Sequence, residues 1–221
     1  MRIVETDVLL VVDVQVDFLP GGALPVPDGD AVVGPVNALL ATFPHAVLTQ
    51  DWHPAGHASF HTSHPGGEPF GTVAMPYGPQ VLWPEHCVQG TPGVAFAPGL
   101  DVARAELVIR KGYTHAVDSY SAFLEADRTT RTGLAGYLRE RGFTRVVLCG
   151  LATDFCVAWS ALDARAAGFE TVVVEDAVRG IDRDGSVAAW ARMAAAGVGR
   201  VRLAEIGANG RSAVTSPPAH R

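Results

Sequence analysis

Val146-Val147-Leu148-Cys149-Gly150-Leu151-Ala152-Thr153-Asp154-Phe155-Cys156-Val157 is the stretch whose reading decides the rest of the chain. Its first part is a short apolar, β-branched run, the signature of a buried strand. Gly150 closes that run, and Thr153 and Asp154 are N-cap residues for a helix passing through Trp159, Leu162 and Ala166 to Gly168. Cys156 then falls in the first turn, where the positive end of the helix dipole favours a thiolate. Backbone N–H groups not used by the helix point into the same space and suit an oxyanion. One strand-to-helix turn thus offers both a nucleophile and a place for negative charge. Most free cysteines are only small buried hydrophobes, so other segments must carry the catalytic reading.

Upstream, Asp7-Val8-Leu9-Leu10-Val11-Val12-Asp13 opens with the apolar run of a central parallel strand. Asp13 closes it, at the edge where open α/β sheets place ligand-binding groups. Taken alone it reads as a surface or capping aspartate. The Gly- and Pro-rich loop at 19–27 includes apolar residues, Leu24 among them, that can wall a pocket. A helix is expected over about 30–43 and a strand over 45–49. After that strand, Asp51 and His53 are two apart, so in an extended segment their side chains share one side. A carboxylate with an imidazole suits Zn²⁺, Mn²⁺ or Fe²⁺. His86 offers a third ligand, while Cys87 beside it points away and reads as core packing. His57, His61 and His64 follow in a loop and read chiefly as solvated or structural. The region 55–98 is rich in Pro and Gly with little periodicity, and long insertions of that kind are usually functional. One Asp and two His leave coordination positions open, the pattern of a catalytic centre.

Glu106–Gly112 reads as another strand, ending in Lys111. A lysine there is more often a snorkelling surface residue, yet it falls at the same edge as Asp13 and Cys156. Tyr120 and Phe123, in Asp118–Phe123, can line a pocket or simply pack a loop. Helices over about 130–141 and 186–196 and strands near 171–176 and 201–203 complete an alternating β/α order. That order predicts a parallel sheet covered on both faces. The fold rule, rather than the spacing, brings Asp13, Asp51, Lys111 and Cys156 together.

The 221 residues, 48% of them hydrophobic, suffice for one sizeable core. We expect a single domain over 1–206, with the metal-binding insertion at about 51–98 and a disordered tail from 207 to 221. A formal charge of −6 and scattered arginines argue against nucleic acid or an acidic membrane as partner. Three cysteines, Cys87, Cys149 and Cys156, form no paired framework, which suits a reducing cytoplasm. The opening Met1-Arg2-Ile3-Val4-Glu5 lacks the pattern of a signal peptide, and no apolar run is long enough to span a bilayer. A soluble cytoplasmic protein is expected, its oligomeric state left open.

Six segments in order then resemble one family: Asp13–Phe18, Gln50–Pro54, Trp83–Thr91, Lys111–Gly112, Asp118–Phe123 and Gly150–Val157. They look like nicotinamidase/pyrazinamidase, a branch of the isochorismatase-like cysteine hydrolases, and the likeness runs from about Asp7 to Leu203. It implies a three-layer α/β/α fold with a six-stranded parallel sheet in the order 3-2-1-4-5-6. It implies a triad of Cys156, Asp13 and Lys111, with the backbone N–H groups of Ala152 and Cys156 holding an oxyanion after a cis Leu151–Ala152 peptide. Asp51, His53 and His86 match its metal ligands, with Zn²⁺ ahead of Mn²⁺ and Fe²⁺, and His57 is a further candidate. Phe18 and Trp83 match the pair that sandwiches a pyridine ring, with Tyr120, Leu24 and Gln15 beside them. The implied reaction is hydrolysis of nicotinamide to nicotinate and ammonia through a thioester, extending to pyrazinamide and serving NAD salvage. The nearest alternative is a relative acting on a carbamoyl or maleamate-type amide. A non-catalytic binding protein is a second, opposed by the intact Asp13, Lys111 and Cys156.

Overall fold

The computed structural model describes residues 1–207. Eight strands and four α-helices follow one another in chain order. They are β1 (Asp7–Val12), α1 (Val33–Thr42), β2 (Ala46–Asp51), β3 (Thr72–Met75), β4 (Gly78–Val81), β5 (Leu107–Lys111), α2 (Leu134–Glu140), β6 (Arg145–Leu151), α3 (Ala158–Ala166), β7 (Glu170–Arg179), α4 (Arg183–Ala195) and β8 (Gly199–Val201). Six strands form one sheet in the order β5-β2-β1-β6-β7-β8, every pairing parallel. With the separate hairpin β3–β4 left out of the count, this is the expected 3-2-1-4-5-6.

Strand alternation explains the two cores. Leu9, Val11, Val147, Cys149 and Val172 face one side, where they meet Val36, Leu39 and Leu40 of α1. Val8, Leu10, Val12, Val146, Leu148 and Val173 face the other, against Leu134, Leu138, Ala161, Ala189 and Met193 of the remaining helices. Residues one apart along a strand necessarily point to opposite faces, so strands covered twice read as unbroken apolar runs. β1 and β2 are buried at every position.

The order of the strands reverses between β1 and β6, and ligands bind doubly wound sheets outside the carboxyl ends at that crevice. Register brings the ends together there: Val12 lies beside Gly150, and Asp51 beside Lys111. Gly150 has φ +110°, and a Cβ on it would sit 2.1 Å from the Val12 carbonyl oxygen. Only glycine lets β6 run this close to β1 as the chain turns into the site.

Two expectations change. The insertion contains a hairpin, β3–β4, that sequence reading left as loop; its strands are short and half-exposed, with Pro76 between them and Pro79 within. The helix after β6 does not start at a cap formed by Thr153 or Asp154. Residues Thr153–Val157 form a wide π turn, and α3 begins at Ala158. The buried Asp154 carboxylate instead accepts from the backbone N–H of Ile181 at 3.0 Å and of Asp182 at 2.9 Å. Those amides precede α4 and lack ladder partners, so they compete successfully for it. The expected tail lies, from residue 208 on, outside the described residues. Among the described residues no helix is long and apolar enough to cross a membrane.

Candidate active site

Asp13 follows β1 with φ +45°, a left-handed kink that directs the chain away from the sheet. Its side chain is wholly buried. Thr49 of β2 serves it twice: Asp13 N donates to Thr49 Oγ1 at 3.0 Å, and the Thr49 hydroxyl donates to Asp13 Oδ1 at 2.5 Å. Asp13 Oδ2 faces Lys111 Nζ at 2.8 Å. Lys111, far from snorkelling, is also wholly buried. Its ammonium reaches Asp51 Oδ1 at 3.1 Å, the Ser119 carbonyl at 2.9 Å and Cys156 Sγ at 3.5 Å.

Burial is the largest influence on each of these groups. It raises the Asp13 carboxyl above its ordinary value, against the pull of Lys111. It pushes the Cys156 thiol well up, again against Lys111, with the neighbouring Asp13 and Asp51 charges adding to the rise. For Lys111 burial acts downward, but Asp13, Asp51 and Cys156 together hold the ammonium well above its usual value. Burial thus favours the thiol form of Cys156, while Lys111 at 3.5 Å favours the thiolate. Desolvation acts on this thiol in the direction opposite to the helix end expected from sequence.

Asp51 turns its second oxygen the other way. Oδ2 lies 3.1 Å from His53 Nε2 and 3.5 Å from His86 Nε2. The far nitrogen of each ring faces a backbone carbonyl: His53 Nδ1 is 2.9 Å from Gly112 O, and His86 Nδ1 is 2.8 Å from Pro84 O. Those carbonyls place a ring proton on each Nδ1 and direct both Nε2 atoms at the carboxylate. Three buried donors converging on one point, oriented by a second layer of acceptors, fit a divalent transition metal. Gly112 makes room for them: at φ +68°, a Cβ there would lie 2.6 Å from His53 Cε1.

His57 is not brought to this group of three. Its Nδ1 is 2.7 Å from Ser59 Oγ, and its Nε2 lies 3.1 and 3.2 Å from the carbonyls of Thr114 and Val117. Burial, then the adjacent His53, lowers its pKa to about 4. A second trio of donors, His53, His57 and Asp118, is also compact, but both His57 nitrogens are already engaged. His57 stacks behind His53, ring centres 4.3 Å apart.

Phe18, Leu24, Trp83, Tyr120, Phe155 and Ile181 wall a pocket that also presents Asp51, His86, Asp118, Ala152 and Cys156. Trp83 and Phe155 meet edge to face at 4.9 Å. Gln15, expected at the substrate, lies elsewhere: its amide donates to the carbonyls of Asp51 and Val94 and accepts from Asp51 N, which fixes the end of β2. Both of its N–H hydrogens are taken by these backbone carbonyls, and it is not among the residues lining the aromatic slot. Sequence reading passed over Thr49, Phe155, Ile181 and Gln80. Phe155 stood beside Cys156 in the quoted stretch, whereas Ile181 and Gln80 carry no local signal. A second cleft, among Ile3, Leu40, Phe43 and Arg104, is lined by no cysteine, histidine or lysine.

Fold and site together define the class: a doubly wound parallel α/β protein carrying a thiol, carboxylate and ammonium cluster at the carboxyl edge of its sheet. The isochorismatase domain model matches residues 7–205. The nicotinamidase of Acinetobacter baylyi is 54% identical over 194 residues, covering 87% of this chain and 91% of that protein. The L. infantum PnC1, solved in complex with nicotinate, is 42% identical with a TM-score of 0.83, covering 94% of this chain and 98% of its own. The pyrazinamidase of Pyrococcus horikoshii, solved in complex with zinc, is 38% identical with a TM-score of 0.74, covering 89% and 99%. The chain belongs to the isochorismatase family, on its nicotinamidase branch.

Proposed function

We propose that this protein hydrolyses nicotinamide to nicotinate and ammonia, and accepts pyrazinamide, through a thioester on Cys156. The observation that carries the reading is the single lysine 2.8 Å from Asp13 and 3.5 Å from Cys156, beside an aromatic slot. Nicotinamide is a neutral aromatic amide and suits apolar walls with few polar anchors. Likeness to relatives named for this activity supports the same substrate.

In this reading Asp13 takes the thiol proton as the sulfur attacks the carboxamide carbon. Its raised affinity for a proton suits a base that must pass the proton on. Lys111 holds Asp13 in place and stabilises negative charge on either partner. The carbonyl oxygen becomes an oxyanion held by the backbone N–H groups of Ala152 and Cys156; losing one such donor typically costs about 3 kcal/mol of barrier. The C–N bond breaks as Asp13 returns its proton to the departing nitrogen, and ammonia leaves. Asp13 next draws a proton from water, which cleaves the thioester to nicotinate and restores the thiol. Asp51, His53 and His86 would hold one divalent metal, Zn²⁺ for preference, and Mn²⁺ or Fe²⁺ otherwise. When bound, such an ion supplies a Lewis acid beside the slot.

We read 1–206 as one catalytic domain, acting on a small molecule in NAD salvage. All three cysteines are free and buried, which suits a reducing cytoplasm. Ammonia release is measured from nicotinamide, pyrazinamide and maleamate, before and after chelation and metal add-back. Release from the two ring amides that falls on chelation and returns with metal is expected. Release from maleamate alone would move the assignment to the acyclic-amide relatives.

A further inference from the structure

Gln80 sits on β4 in the middle of the half-exposed hairpin, yet its side chain is 2% exposed. Its Nε2 lies 2.6 Å from Asp118 Oδ2, 2.7 Å from the Val81 carbonyl and 3.1 Å from the Tyr120 hydroxyl. Its Oε1 accepts from the Tyr77 hydroxyl at 3.1 Å. Chemistry fixes which way this amide faces. A carboxylate only accepts, so the NH₂ must point at Asp118, and Tyr77 has a proton for the opposite side. The two N–H hydrogens serve the two short contacts, and the Tyr120 oxygen shares one of them.

The network continues into the pocket. Trp83 Nε1 donates to the same Tyr120 oxygen at 3.0 Å. Asp118 Oδ1 accepts from Ser119 N at 2.8 Å. Asp118, Tyr120 and Trp83 are three walls of the slot that contains Cys156, and Gln80 contacts two of them directly. We propose that Gln80 is the positioning residue of the substrate slot: one buried amide that orients Asp118 and Tyr120 and, through Tyr120, the plane of Trp83. This rests on the nicotinamidase reading, which says what the slot holds. Gln80 touches neither Cys156 nor Lys111 by any hydrogen bond among the described residues, so its loss should weaken binding while sparing the chemical step.

The zinc-loaded enzyme is compared with Gln80→Leu, which keeps most of the volume, and Gln80→Glu, which keeps the shape but sets a carboxyl against Asp118. Melting temperature and zinc content establish that each variant is folded and loaded; if Gln80→Leu does not fold, Gln80→Glu carries the test. The expected result is a KM for nicotinamide raised about tenfold with kcat within about twofold. The NMR resonance of the Trp83 indole proton, assigned by its loss in Trp83→Phe, should shift in the same variants. An unchanged KM with an unmoved resonance overturns the proposal, and so does a fall in kcat at constant KM. If the unsubstituted enzyme releases no ammonia from nicotinamide, the resonance alone decides. A shift then keeps the positioning role while the substrate reading fails, and no shift removes the role.

Discussion

Half of the site hangs on strand ends and half on loops, and the two halves are built by different physics. Asp13, Asp51, Lys111 and Cys156 follow β1, end β2, end β5 and follow β6, so the sheet's register sets their spacing. A slip of one residue in β2 or β5 would turn Asp51 or Lys111 to the opposite face of the sheet. Phe18, His86 and Tyr120 lie outside the strands, and Trp83 has only an isolated parallel bridge to Phe60 behind it. Side-chain to backbone hydrogen bonds hold their loops instead: Asp17 Oδ2 accepts from Cys87 N at 2.7 Å, and Gln15 clamps Val94 and Asp51. Reactive groups placed by a sheet tolerate little drift, while walls placed by buried polar contacts can be retuned one contact at a time.

The comparison breaks most sharply at Cys156. Cys156→Ala should cut nicotinamide turnover by about a thousandfold or more while the fold persists by circular dichroism; substantial remaining hydrolysis would remove the covalent route. Next comes Gly112→Ala, at the junction of the halves. The added methyl collides with His53 from a left-handed backbone position, so bound metal and activity should fall together, by about a hundredfold in affinity. Full metal stoichiometry in that variant would show that the ligands have been misassigned.

Thr49→Val probes the sheet-borne half alone. It removes the hydroxyl that bonds Asp13 Oδ1, at a stability cost of about 2 kcal/mol by denaturant titration. The same hydroxyl lowers the Asp13 pKa, so without it Asp13 holds its proton to higher pH. Asp13 must be ionised to accept the thiol proton. The acid limb of kcat/KM, which falls as pH falls through that pKa, should therefore move to higher pH in the variant. A limb that stays in place would count against Asp13 as the base.

The smallest effect is expected in the loop at 127–130, which contributes no side chain to the slot. Asp127 accepts from the N–H groups of Thr129 and Thr130 and from the Thr130 hydroxyl. The Thr130 hydroxyl leads those bonds in lowering its pKa from 3.8 to about 2. Because the folded value is depressed, its stabilisation of the loop is present above about pH 4 and is lost as pH falls through about 2. Amide exchange at Thr129 and Thr130 should quicken over that window, and Asp127→Asn should erase the step.

Much of this was legible in the chain. The apolar runs ending at Asp13, Lys111 and Cys156 gave the sheet and, with the rule for doubly wound folds, the edge where they meet. Asp51 and His53 were legible because two residues apart means one side of a strand. What sequence hid depended on partners distant along the chain. Asp154 looked like a cap because its local pattern was right, yet the amides of Ile181 and Asp182 that it binds come from the turn between β7 and α4. Gln80 sits in a hairpin whose alternation is too weak to mark it as buried. Gln15 stood in a motif beside site residues, and only the positions of Asp51 and Val94 show that it serves the backbone.

Burial of Cys156 has a consequence for the protein's working life. Peroxide and other oxidants attack the thiolate and largely ignore the thiol. Burial that raises the Cys156 thiol above its ordinary value favours the protonated form, the form that resists oxidation to sulfenic and sulfinic acid. The desolvation that opposes ionisation of Cys156 therefore also works against its oxidation.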